Sequence, residues 1–360
     1  MGAPHRGHPL SEDVWSAQDT HPDAIEAALR DMLRVRHAAN ESLAPARVLN
    51  LVVIVDREWK GEIANRLERV GRYHASRTVL CAVEEGKRTL DAVATVSFDE
   101  TAGSALGVMH ESVEIDLGPE HLRAIQTVVD PVLVSEIPTV AWSPHGHDDA
   151  IRALLPLIDV MLLDSDDGDD PLDSFERACI VREHAYVVDL AWLRTTPWRE
   201  RLAASFDLPS RLVALRNIAE LEVRHREHSS ASALLLAGWL ASRLDWERSP
   251  LRDQTAGSLH GTAHRADGEV RVALRIFHQE APGLAGVTVA CANGTSLSLQ
   301  RGEGGLDAAE RMIDGTERQW KILGASRGEG GILGEGVRQA LLRDPTYLPA
   351  LDAARELCPS

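Results

Sequence analysis

RVLNLVVIVD, residues 47–56, decides the fold class. Apart from Asn50, every residue from Val48 to Val55 is apolar. A strand that is apolar on both of its faces is covered on both faces, which is the signature of a parallel strand inside an α/β sheet. The segment after it supports that reading. Ile63, Leu67 and Val70 recur at helical spacing over 57–71, and Gly71 ends the pattern. TVLCAV (78–83) is then a second strand. TLDAVATVSF (89–98) and GVMHESVEIDL (107–117) alternate apolar and polar residues, as half-exposed antiparallel strands do.

Working outward, DTHPDAIEAALRDMLRVRHA predicts a helix before the first strand, capped by Asp19 or Thr20. Residues 1–20 are polar and are expected to be disordered. A helix opens at Pro119 and should kink or end at Pro131. The strand IPTVAW, a short helix near 149–156 and the strand DVMLLDS (159–165) follow. DSDDGDDPLD (164–173) reads as a charged surface loop, because residues 148–176 hold ten acids against Arg152 alone.

In the second half, Thr196 is placed to cap a helix with Pro197 at its first position. RLVALRNIAELEVRH (211–225) reads as strand. SSASALLLAGWLASRLDW is a Ser-capped helix that is apolar all round and therefore central. Three further strands form an antiparallel meander, with ADGE as a tight turn. RGEGG (301–305) and RGEGGILGEG (327–336) read as flexible turns, and helices after Gly331 and Pro345 finish the chain.

These readings give an α/β fold with α+β character in the second half, built from mixed sheets covered by helices. They divide the chain into a disordered segment 1–20, an α/β domain 21–205 and an α+β domain 206–360. The order of elements suggests two related βαβββα-like halves.

The 360 residues suffice for two ordinary domains. A net charge of −17 argues against nucleic acid and against a polybasic membrane contact. The longest apolar run, ASALLLAGWLA at 231–241, is too short to span a bilayer. Cys81, Cys179, Cys291 and Cys358 are far apart, which suits reduced thiols in a cytoplasmic protein better than a zinc or disulfide framework. No secretory leader is evident at the N-terminus.

Two stretches carry candidate chemistry. HGHDD (145–149) contains His-x-His-x-Asp, the first half of a zinc-hydrolase signature, but Ala150 stands where the last His belongs. DLAWLRTTPWRER (189–201) concentrates Trp192, Arg194, Trp198, Arg199 and Arg201. Arg and Trp dominate protein interfaces and also suit a sugar-phosphate site.

This second stretch, with ASALLLAGWLASRLDW and the upstream PVLVSEIPTVAWSPHG, resembles the glucose-6-phosphate dehydrogenase assembly protein (OpcA) family over roughly residues 20–345. The resemblance implies a non-catalytic activator that needs no cofactor and no metal. It would bind glucose-6-phosphate dehydrogenase and promote its active oligomer in the oxidative pentose phosphate pathway. Its contact residues would be Trp142, Trp192, Arg194, Trp198, Arg199 and Arg201, and it could itself form a homo-oligomer. A divergent zinc hydrolase using HGHDD and a sugar-phosphate or nucleotide sensor stay open beside it.

Overall fold

The computed structural model describes residues 11–39, 47–71, 76–99, 108–207, 209–255, 257–324 and 329–359. The chain divides into two compact units. One comprises Met1–Leu163 with Val181–Val187, the other Asp164–Ile180 with Val188–Ser360. The division falls earlier than the 205/206 boundary expected from the sequence, and each unit takes a piece of the other's stretch of chain.

The first unit is organised by β2 (Leu49–Asp56), whose residues 49–55 are all buried. Before it come β1 (Ser11–Ala17) and α1 (Pro22–Ala39). After it come α2 (Lys60–Gly71), β3 (Ser76–Val83), β4 (Asp91–Asp99) and β5 (Val108–Leu117). Residues 119–132 wind through short 3₁₀ turns around a single α-turn, α3 (Gln126–Val129), because Pro119 and Pro131 bound the segment. Next are β6 (Thr139–Trp142), α4 (Asp148–Leu154), β7 (Val160–Leu163) and β8 (Tyr186–Asp189), whereas α5 (Pro171–Val181), between β7 and β8 in the chain, belongs to the second unit in all but its last residue. The strand order is β1-β4-β5-β3-β2-β6-β7-β8. β2 lies parallel to β3 and β6, while β4 runs antiparallel to β5. The continuous apolar run is thus the middle of the sheet and the alternating strands lie toward one side.

A buried ion pair sits inside this layer. Arg77 on β3 and Glu111 on β5 are buried partners, with Nε to Oε2 at 2.8 Å. Arg77 Nη1 also donates to Val132 O and Glu26 Oε2, each at 2.8 Å, so the guanidinium is held on several sides.

Residues 11–17 are a strand and not disorder. Glu12, Val14 and Ser16 face solvent while the strand pairs with β4, and on the half-buried side Arg36 Nη2 donates to Asp13 Oδ1 at 2.8 Å. Residues 1–10 lie outside the described residues.

The second unit holds α6 (Leu190–Phe206), α7 (Pro209–Leu215), β9 (Ile218–His225) and α8 (Ser230–Arg243). β10 (Arg252–Thr255), β11 (Ser258–Arg265), β12 (Gly268–Ile276), β13 (Leu284–Cys291), β14 (Ser296–Gly302), β15 (Gly305–Arg311) and β16 (Glu317–Leu323) follow, then α9 (Glu329–Gln339) and α10 (Tyr347–Leu357). The order of its sheet is β10-β11-β12-β9-β13-β14-β15-β16. The expected meander is interrupted, because β9 lies between β12, to which it is parallel, and β13, to which it is antiparallel. Residues 211–215 of the stretch 211–225 belong to helix α7, and residues 329–336 lie in helix α9 instead of a turn. The two halves do not repeat one βαβββα order: three strands follow α2 before residues 119–132, whereas seven follow α8 before α9, and the strand orders of the two sheets also differ.

α8 is apolar all round because it is covered all round. Leu234, Leu235 and Leu236 are fully buried, each contributing about 2 kcal/mol of transfer free energy. Gly238 is where α10 comes closest. A Cβ there would stand 2.5 Å from Ala350 O and 2.7 Å from Ala354 N, both main-chain atoms of α10. Gly238→Ala is expected to destabilise the second unit by about 1–3 kcal/mol, since backbone cannot step aside as a side-chain tip can. Equilibrium denaturation measures this, and a substitution without cost would mean the two helices are not packed this closely.

Candidate functional site

The most concentrated polar chemistry of the second unit lies where α6 begins. Asp189 caps the helix, its Oδ1 accepting from Ala191 N at 2.9 Å. Oδ1 also accepts from Ser165 N at 3.1 Å, and Oδ2 accepts from Ser165 Oγ at 2.6 Å and Tyr347 Oη at 3.1 Å. The carboxylate is 1% exposed. Burial pushes its pKa up to about 6 against the pull of these donors.

The helix therefore starts at Leu190, and Thr196 is not its cap. Pro197 stands inside α6, and Thr195 Oγ1 donates to Trp192 O at 2.7 Å in the turn before it. Local pattern favoured a start at Thr-Pro, but the Asp189 cap, joined to Ser165 and α10, overrides it.

One turn into α6, Arg194 forks onto Asp164, with Nη1 to Oδ1 at 2.7 Å and Nη2 to Oδ2 at 2.6 Å. Its Nη1 is 3.8 Å from Asp166 Oδ2. Asp166 also accepts from Ser232 N at 2.9 Å and Ser232 Oγ at 2.5 Å, which ties the loop to α8. Burial, and then the charge of Asp164, raises the Asp166 pKa. The acidic loop was expected at the surface. Its residues 167–170 are exposed, but the side chains of Asp164 and Asp166 turn inward. Gly168 and Ser174 flank that turn, where a Cβ on Gly168 would meet Ser174 Oγ at 2.2 Å.

On the other flank, Trp192 Nε1 donates to Asp344 Oδ2 at 2.9 Å, and the Trp192 ring sits 5.7 Å from that of Tyr347. Arg199 lies over Trp192, with Cζ 3.5 Å from the ring centroid, and 3.6 Å from Asp344. Burial lowers the Arg199 pKa to about 10 despite that carboxylate. Burial by itself would raise Asp344, but hydrogen bonds from Thr346 and Trp192 and the Arg199 charge leave it below the ordinary value.

Trp192 and Trp198 are 2% and 1% exposed, and Trp142 in the first unit is 4% exposed. These three rings do not form an exposed face. Arg194 and Arg199 are held in internal pairs, and of the α6 arginines Arg201 has a buried Nε without a hydrogen-bond partner among the described residues. The Trp/Arg run is the fastening of α6. The groups that complete it are Asp164, Asp166, Ser232, Asp344 and Tyr347. The sequence carried a partial signal for them in the Asp-Ser at the end of 159–165 and in the Ser of SALLLAGWLA, but none for Asp344 or Tyr347.

The HGHDD loop disperses its side chains. His145 stacks on Trp59 at 5.2 Å, and burial lowers its pKa. His147, in a left-handed conformation at φ 61°, points Nε2 to within 3.2 Å of Asp56 Oδ1. Asp149 pairs with Arg123 and Arg152. Among the described residues no group of three or more His, Cys, Asp or Glu converges to hold a metal ion. Nor is any described helix long and apolar enough to cross a membrane.

The two units thus carry a parallel-centred sheet whose HGHDD loop pairs its side chains separately, and a second sheet whose Trp/Arg motif is internally paired. Residues 67–179 match the model of the glucose-6-phosphate dehydrogenase subunit N-terminal domain, and residues 185–351 that of the C-terminal domain. The chain belongs to the OpcA family, the glucose-6-phosphate dehydrogenase assembly proteins. It is 30% identical to OpcA of Synechococcus elongatus over 173 residues, 47% of this chain and 39% of the relative. It is 31% identical to OpcA of Synechocystis over 129 residues, 35% of this chain and 27% of that one. The matched stretch is therefore about two fifths or less of the length of these relatives. A dehydrogenase (MviM) from Clostridium difficile, of known structure, is 10% identical over 85% of this chain and 96% of its own, with a TM-score of 0.44.

Proposed function

We propose that this chain is a non-catalytic partner of glucose-6-phosphate dehydrogenase that promotes the enzyme's active oligomer in the oxidative pentose phosphate pathway. The observation that carries the reading is family membership: two domain models, both described as glucose-6-phosphate dehydrogenase subunit, match most of the chain in order. The curated relatives are named for the same cycle. A cytoplasmic setting goes with this role, as do the absence of nucleic-acid and membrane partners and of any cofactor.

An assembly factor shifts an oligomer equilibrium only as far as it binds the assembled state more tightly than its parts. Because the rings of Trp142, Trp192 and Trp198 are buried, the contact falls to other side chains, and these three residues act by holding their elements in place. Sedimentation of the dehydrogenase from the same organism, with and without this chain, tests the proposal. A shift of the enzyme to a larger species that contains both proteins is expected. Unchanged sedimentation at saturating amounts of the chain would overturn it.

A further inference from the structure

In the second unit, α6, the turn at 281–282, the β14–β15 hairpin and α9 enclose a cleft of about 270 Å³. Four arginines line it, Arg194, Arg201, Arg301 and Arg338, against two carboxylates, Glu200 and Glu335. This balance is opposite to that of the whole chain, whose net charge is −17. Arg194 and Arg338 are paired with Asp164 and Glu335. Arg201 differs from these two in that its Nε is buried with no hydrogen-bond partner among the described residues, as are the Nε atoms of Arg224, Arg265 and Arg355 outside the cleft. Arg301 is held by main-chain carbonyls, donating to Leu284 O at 3.0 and 3.2 Å. Those bonds fix the direction of the guanidinium.

The rest of the lining fits the remainder of a ligand. Glu335 and Gln339 are joined by a 2.9 Å hydrogen bond, and with Glu200 they offer the acceptors and donors that hydroxyl groups need. Leu193, Leu306 and Ile332 supply apolar surface. The volume is slightly below the usual range for drug-sized ligands, which suits a single sugar-sized molecule.

We infer that this cleft binds a small phosphorylated polyol, with Arg201 and Arg301 on the phosphate and the Glu200, Glu335 and Gln339 side chains on its hydroxyls. The inference concerns the chain alone and does not depend on its binding the dehydrogenase.

The test is calorimetric titration of the full chain, without any partner, using glucose 6-phosphate, glucose and inorganic phosphate as probes. Saturable binding of glucose 6-phosphate is expected, with inorganic phosphate at least roughly tenfold weaker and glucose weaker still, because charge-assisted forks and hydroxyl contacts are both needed. Arg201→Met is expected to weaken binding at least roughly tenfold. Its unliganded melting temperature should stay the same or rise, since the side chain removed has an unpaired buried nitrogen. Arg301→Met should also weaken binding, and the melting temperature of the unliganded variant tells loss of the site from loss of the fold. The inference is overturned if no phosphate probe binds, if Arg201→Met binds like the unaltered chain, or if inorganic phosphate binds as tightly as glucose 6-phosphate.

Discussion

Arg194→Ala is expected to cost the second unit about 3–5 kcal/mol at neutral pH, because it leaves a buried carboxylate without its counter-ion. The guanidinium side chain is 9% exposed and its partner Asp164 is 6% exposed, so solvent does little to screen the loss. Asp166, 7% exposed and already raised by burial and by Asp164, is 3.8 Å from the same guanidinium. With Arg194 gone, the two acids repel each other unopposed. The native state of the variant then holds a proton that the unfolded chain has released. Stability of the variant should therefore recover as the pH falls toward the unfolded carboxylate range and worsen as it rises. Arg194→Lys should lie between, since one ammonium cannot replace a two-pronged fork. Urea denaturation at pH 7.5 and pH 5 reads both effects. A loss below about 1 kcal/mol would mean that water reaches the pair.

Asp189→Ala is the second large effect, expected to reach at least about 3 kcal/mol. It strands four donors at once: two main-chain N–H groups, from Ser165 and Ala191, and the hydroxyls of Ser165 and Tyr347. Each buried unsatisfied group costs about 1–3 kcal/mol, and although the hydroxyls can rotate, the two N–H groups cannot. Asp189→Asn keeps an acceptor for both N–H groups and should cost less. It should also change the pH profile. The Asp189 pKa is near 6 in the folded chain and close to about 4 when unfolded. Between those values the folded state binds the extra proton, so this group's contribution to stability declines as pH rises through the window and is constant above it. The Asn variant should lack that part of the decline. If the profiles of the two proteins are parallel from pH 4 to pH 7, Asp189 does not titrate as the structure implies.

How much of this could be read from residues alone follows from what each pattern encodes. β2 and α8 were legible because each is covered on all sides, and a continuous apolar run needs no knowledge of neighbours. The start of α6 was misread because Thr196-Pro197 is a good local start signal, while the deciding cap, Asp189, depends on Ser165 and Tyr347, far away in the chain. β16 was missed because ERQWKIL is an edge strand exposed along most of its length. The acids at 164 and 166 looked solvated by count. Only the placement of Arg194 and Ser232, which charge counting cannot supply, shows that they face inward. The same limitation turned the Trp/Arg motif into an expected contact face. Its composition is right for an interface and equally right for a fastening between helices.

We propose that this chain acts on an assembly equilibrium. It is tested most directly by the specific activity of glucose-6-phosphate dehydrogenase across a range of enzyme concentrations, with and without a saturating amount of the chain. If the chain promotes the active oligomer, activation is large at low enzyme concentration and fades as the enzyme assembles unaided, because mass action alone then fills the active state. Equal activation at every enzyme concentration, or none at any, would contradict it.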